Sequence, residues 1–167
     1  ILFPNNLNEI IFRKKINYFG GPPLHSKWII ESKKKNFLEK LISSGDFLSD
    51  EIINKYLSKN YKFNFYYMYG LSEVGGRFCI NKIKDDKYKF SVGKPLEYFF
   101  IKCKENKTEE IIISSRYLYV GYYLKDKFII RMGKYFKTGD IGKIYNKNLI
   151  LSGRVSEIFK SSGVMVY

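Results

Sequence analysis

Along the first seventy residues, apolar positions recur at two different spacings. Leu7, Ile10 and Ile11, followed by Lys14 and Lys15, fall on one face of a helix with basic residues in its last turn. Ile16 to Phe19 is a short apolar run halted by Gly20-Gly21-Pro22-Pro23, the pattern of a strand ending in a turn. Leu24 to Lys34 predicts a second helix with Trp28 and Ile29 on its inner side. Phe37 to Ile42 then leads into a loop, Ser43-Ser44-Gly45-Asp46. Ser49 reads as an N-cap, with Asp50 and Glu51 in the first turn and Ile52, Ile53, Tyr56 and Leu57 at helical spacing. Phe63 to Met68 is an aromatic strand broken at Tyr69-Gly70. Helices alternating with short apolar strands predict part of a mainly parallel, helix-covered sheet.

From Gly76 the pattern changes. Phe78-Cys79-Ile80, Lys89 to Val92, Tyr98 to Cys103 and Glu110 to Ser114 are short runs separated by Gly, Pro, Asn or charged turns. Lys143 to Tyr145 and Leu149 to Leu151 flank Asn146-Lys147-Asn148, a hairpin signal. Strands of this length with frequent turns predict a small antiparallel, barrel-like subdomain. The expected fold class is therefore α/β, with a partial α/β subdomain over 1–74 and an antiparallel β subdomain over 75–153.

Composition narrows the possibilities. The chain has 167 residues, enough for one core, and 45% hydrophobic residues, which excludes global disorder. No apolar run is long enough to span a membrane, and Ile1-Leu2-Phe3-Pro4 carries no secretion signal. Cys79 and Cys103 have no paired metal or redox spacing, so reduced thiols and a cytoplasmic location are expected.

The net charge of +14 suggests a nucleic-acid partner at first. Residue usage supplies a competing cause. The row contains 25 Lys but five Arg, 21 Ile, 12 Asn and no Ala or Gln, the signature of AT-rich codons. Nucleic-acid sites favour Arg where bidentate contacts matter, and Arg is scarce, so a nucleic-acid partner is disfavoured.

Four short patterns follow one another along the chain: Ser43-Ser44-Gly45-Asp46; Tyr69-Gly70-Leu71-Ser72-Glu73; Thr138-Gly139-Asp140; and Gly153-Arg154 with Lys160 and Gly163 downstream. Singly each has an ordinary reading. Glu73 is then a solvated loop acid, Asp140 a turn residue and Arg154 a surface cation. In this order, together with Ser91-Val92-Gly93-Lys94-Pro95 and Glu110 to Ile113 followed by Gly121-Tyr122, they resemble the adenylate-forming superfamily of acyl-CoA synthetases, luciferases and peptide-synthetase adenylation domains. The resemblance covers essentially the whole chain and corresponds to the second half of the family's large N-terminal domain.

The resemblance implies roles residue by residue. Ser44, Gly45 and Asp46 with Tyr69 and Gly70 would enclose adenine, Gly45 allowing close backbone approach and Tyr69 offering an aromatic face. Ser72 would lie near the α-phosphate of ATP, and Glu73 would hold Mg2+, a cation that prefers oxygen ligands. Asp140 would accept hydrogen bonds from the ribose hydroxyls, and Arg154 would add a cationic fork. Lys160 matches a lysine associated with thioester formation. Glu73 and Lys160 are the candidate catalytic residues. Gly20-Gly21-Pro22-Pro23 lacks the following Lys-Ser/Thr of a phosphate loop, so Gly21 to Leu24 are instead weak candidates for contact with the acyl substrate. His25, the only histidine, reads as a structural or surface residue rather than a general base.

Departures from the family pattern set further expectations. Its Ser/Thr/Gly-rich phosphate loop belongs upstream of residue 1, and its small C-terminal domain belongs after Gly163. Residues 154–167 then form a hinge segment, with Ser156 where Asp or Lys is usual, and Ser44 replaces a second Gly. The implied activity is attack of a small-molecule carboxylate on ATP, giving an acyl-adenylate and pyrophosphate, then transfer to coenzyme A or a pantetheine carrier with release of AMP. Leu71 leans towards acyl-CoA ligases, since Pro is more frequent there in peptide-synthetase domains. The expected object is a fragment of such an AMP-forming ligase, not competent alone, whose partners are the missing N- and C-terminal parts. The alternatives are a non-catalytic adenylate-binding or scaffolding remnant and a basic nucleic-acid-binding β-domain.

Overall fold

The computed structural model describes residues 4–33, 37–102, 107–157, 159–161 and 164–166. The chain divides into two compact units, 1–69 with 80–93 and 70–79 with 94–167.

The first unit is the α/β part. Strands β1 (Tyr18–Gly21), β2 (Lys40–Ser44) and β3 (Asn64–Leu71) pair in parallel, with Gly21 opposite Ser43 and Ser44 opposite Met68. Helices α1 (Pro4–Arg13), α2 (Pro23–Glu31) and α3 (Asp50–Leu57) connect or precede them. Each forms for the reason its pattern gives. Leu7 and Ile11 are the buried stripe of α1, Ile29 and Ile30 that of α2, and Ile52 and Ile53 that of α3. Pro22 caps α2 and Pro23 opens its first turn, where a missing N–H costs nothing. The Gly-Gly-Pro-Pro segment is thus a strand end running directly into a helix. Leu41, Phe63 and Phe65 complete this core with Leu48.

Strand β4 (Gly76–Lys82) follows a short 3-10 turn, Ser72–Val74. Its Ile80-to-Lys82 end belongs to the first unit, where the Ile83 N–H donates to the Phe65 carbonyl. The strand expected over 89–92 is absent, and Tyr88–Ser91 is a chain of turns instead. The physical cause is Asn81, whose amide donates to the Tyr88 and Ser91 carbonyls at 3.0 and 2.9 Å. The Ser91 hydroxyl donates to the Tyr88 carbonyl as well, so groups that a ladder needs are already committed.

The second unit is antiparallel. Besides the two-residue strand β5 (Lys94–Pro95), it holds β6 (Phe100–Lys102), β7 (Glu109–Ser114), β10 (Tyr135–Tyr145) and β11 (Asn148–Arg154), in the sheet order β11-β10-β7-β6. This sheet curls into a half-barrel around Ile111, Ile113, Ile141 and Leu149. The turn between β10 and β11 has positive φ at Asn146 and Lys147, as a two-residue hairpin requires. A separate hairpin joins β8 (Gly121–Leu124) to β9 (Lys127–Ile130), and another joins β12 (Phe159–Ser161) to β13 (Val164–Val166). The expected class, a mainly parallel helix-covered sheet followed by an antiparallel half-barrel, is the observed one. Among the described residues no helix is long and apolar enough to cross a membrane. Cys79 is buried as a free thiol, and burial pushes its pKa up to about 12; Cys103 and Gly163 lie outside the described residues.

Candidate functional site

In the first unit, the candidate residues gather at the C-terminal ends of parallel strands, where open α/β sheets characteristically bind ligands. Ser44 ends β2 and Gly45 follows at φ 91°, a conformation that disfavours any residue with a Cβ. A Cβ built at Gly45 meets nothing within 4 Å, so this stretch of backbone is open to close approach. Asp46 turns its carboxylate back to accept the Phe47 N–H at 2.7 Å. The loop returns to the sheet through Leu48, whose N–H donates to the Tyr67 hydroxyl at 3.1 Å. Because Ser44 is paired with Met68, the loop begins beside the end of β3 that carries Tyr69. Tyr69 lies on the same face of β3 as Phe65 and Tyr67 and is 8% exposed. His25 packs with Phe19 and Trp28, their ring centres 6.0 and 5.2 Å away.

The second unit begins at Gly70, which is held by close approach. A Cβ there would lie 2.0 Å from the Gly76 carbonyl oxygen and 2.6 Å from the Arg77 Cα. Ser72 and Glu73 then form the 3-10 turn, closed by the Gly75 N–H on the Ser72 carbonyl. Glu73 is half-buried. Its Oε1 accepts the Tyr122 hydroxyl at 3.2 Å, and its carbonyl accepts the Tyr119 N–H at 2.7 Å. The Tyr122 phenol is shifted to higher pKa, first by its hydrogen bond with Tyr119, then by desolvation and the Glu73 carboxylate.

Thr138-Gly139-Asp140 sits on a bulge of β10. Its pairing with β7 slips between Lys137 and Ile141 and leaves these three residues off the ladder. Side chains hold the bulge. The Thr138 hydroxyl donates to the Ile111 carbonyl at 2.9 Å and accepts the Asp140 N–H at 3.0 Å, while the Gly139 N–H donates to Glu110 Oε1. Across the hairpin Asp140 is the register partner of Arg154, and Arg154 Nε donates to Asp140 Oδ1 at 2.7 Å. The Asp140 side chain is 9% exposed and that of Arg154 55% exposed, so an inner carboxylate is orientated by an outer guanidinium. Lys160 lies opposite Met165 in the β12–β13 hairpin.

The structure thus joins Asp140 to Arg154 and sets the Ser44–Asp46 loop beside the end of the Tyr69 strand. It also supplies roles that the sequence did not assign: Tyr67 and Tyr119 as hydrogen-bonding partners, Thr138 as the residue that ties the bulge, and Tyr122 as the partner of Glu73. Tyr122 stood in the Gly121-Tyr122 pattern, but its contact with a residue 49 positions earlier has no sequence signal. Among the described residues no three His, Cys, Asp or Glu side chains form a metal-ligand set. An all-protein metal cage is therefore not built from them. One carboxylate, that of Glu73, still suits Mg2+, which protein sites usually hold through one or two carboxylates plus substrate phosphates.

Compared by sequence, the chain matches no protein-family model and no curated protein. By structure, it has the fold of the adenylate-forming ligases over the part it covers. The amide bond synthetase McbA from Marinactinospora thermotolerans superposes with a TM-score of 0.80 at 17% identity, over 99% of this chain and 37% of that one. The anthranilate CoA ligase AuaEII in complex with anthranoyl-AMP gives 0.78 at 19%, over 97% and 34%. The O-succinylbenzoate coenzyme A synthetase from Bacillus subtilis, in complex with ATP and magnesium ion, gives 0.75 at 18%, over 99% and 37%. The chain spans little more than a third of the length of these enzymes.

Proposed function

We propose that the chain is the adenosine-handling piece of an ATP-dependent, AMP-forming ligase that activates a carboxylate as its acyl-adenylate and passes the acyl group to a thiol. The observation that carries this reading is the Asp140–Arg154 pair on a side-chain-stabilised bulge, within a fold whose solved counterparts include complexes with ATP and with an acyl-adenylate. A carboxylate already orientated by a guanidinium is suited to accept both ribose hydroxyls, and the guanidinium can add a donor to ribose or phosphate oxygen.

Ser44, Gly45 and Asp46, with Tyr69 and Gly70, flank the adenine in this reading. The open side of Gly45 supports backbone contact with a planar base. Ser72 donates to an α-phosphate oxygen, and Glu73 holds Mg2+ by one carboxylate. When bound, that ion neutralises charge on the phosphates. A substrate carboxylate oxygen attacks the α-phosphorus in line, and the bond to the pyrophosphate oxygen breaks. The thiol of coenzyme A or a pantetheine carrier then displaces AMP, with Lys160 assigned to that half-reaction. The partners are a small-molecule carboxylate and the remaining parts of such an enzyme.

The piece is not competent alone. Carboxylate-dependent exchange of pyrophosphate into ATP tests this on the 167-residue chain, with no exchange above background expected. Exchange at enzyme-like rates would overturn the fragment reading.

A further inference from the structure

Glu73 is gripped at both ends by one short segment. Its carbonyl takes the Tyr119 N–H at 2.7 Å, and its Oε1 takes the Tyr122 hydroxyl at 3.2 Å. That segment is itself braced by Arg131. The Arg131 N–H donates to the Val120 carbonyl at 2.8 Å, its Nε donates to the Tyr119 carbonyl at 3.1 Å, and its guanidinium lies 5.6 Å from the Tyr119 ring centre. The Tyr119 and Tyr122 rings are 4.6 Å apart. The rest of the hairpin does not pack in this way, since Tyr123 is 70% exposed and Ile130 61%. Tyr122 itself is 43% exposed and its hydroxyl bonds Tyr119 as well as Glu73, so what it offers the glutamate is a hydrogen bond at the surface rather than a place in a general core.

A glutamate in a surface turn samples several rotamers, and ordering it on ligand binding costs side-chain entropy. A hydrogen bond from a fixed hydroxyl removes that cost in advance and selects which carboxylate oxygen faces a ligand. We propose that Tyr122 is a positioning residue for Glu73, engaging Oε1 so that Oε2 is directed to a divalent cation carried on nucleotide phosphates. The proposal rests on the metal-binding reading of Glu73 given above.

Two readouts on the full 167-residue chain test it. Three-bond couplings of the Glu73 side chain report its rotamers without any metal, and Mn2+ with ATP, followed by electron paramagnetic resonance, reports affinity. The wild-type chain is expected to show one Glu73 rotamer, and Tyr122→Phe an average of several at an unchanged melting temperature. Tyr122→Phe is also expected to weaken Mn2+–ATP binding about tenfold, the usual scale for losing an outer partner of a metal ligand. Tyr122→Leu should weaken it no further, because the hydroxyl is what matters. If Tyr122→Phe keeps both the rotamer and the affinity, or if Glu73 is already averaged in the wild type, Tyr122 only packs and the proposal falls. If the couplings respond but Glu73→Gln leaves Mn2+ affinity unchanged, the metal assignment of Glu73 fails, and the proposal with it.

Discussion

Gly70 stands where two pieces of main chain nearly touch, and there the sequence has no choice of side chain. With the Gly76 carbonyl 2.0 Å from a built Cβ, Gly70→Ala forces strand β3 and the start of β4 apart. Overpacking against backbone is expected to cost about 1–3 kcal/mol, measured by urea denaturation, and retained stability would contradict the geometry. The motif residues stand out in the sequence because each is a particular chemical type at a particular place: Gly45 after a pair of serines, Glu73 after Tyr-Gly-Leu-Ser, Asp140 after Thr-Gly. Their partners were not legible. Nothing local to Glu73 announces Tyr122, and nothing local to the Thr138-Gly139-Asp140 motif announces that the Ile111 carbonyl and Glu110 hold its bulge. Those contacts depend on register, which only the folded sheet defines.

Among the elements, the three helices and the parallel strands were read from periodicity with small shifts at their ends. The Lys89-to-Val92 run misled because apolar and polar residues alternate there while the Asn81 amide, in the preceding strand, donates to the Tyr88 and Ser91 carbonyls. The β8–β9 hairpin was missed for a related reason. Its turn uses Lys125 and Asp126 at positive φ instead of glycine, which hides the usual signal. Helices α2 and α3 are tied by Glu31 and Lys55, whose charged atoms are 2.7 Å apart. The hydrogen bond from Lys55 holds the Glu31 pKa below its ordinary 4.5. A carboxyl depressed in the folded state contributes stability above its unfolded pKa and loses it as pH falls through the folded value. The pair is largely exposed, so the effect is small and salt-sensitive. Glu31→Gln should therefore lower the urea midpoint slightly at neutral pH and not at about pH 3. An equal loss at both pH values would show that the charge is not what the pair contributes.

For the whole molecule, the charge of +14 points less to a partner than it first suggests. Of the residues assigned to a nucleotide, Asp46, Glu73 and Asp140 are anionic, so the excess of lysine is not what marks the site. The fold was legible in outline because the change from helical periodicity to short strands near Gly76 is a property of the pattern itself. The division into units was not. The segments 70–79 and 80–93 exchange between them, and no composition shift marks that crossing. The central claim is that this chain carries an adenosine site organised around Asp140. Isothermal titration calorimetry of the full chain with an acyl-sulfamoyl adenosine tests it most directly. Saturable micromolar binding that disappears in a folded Asp140→Ala variant is the result predicted. No binding by the wild-type chain, or equal binding by the variant, would contradict it.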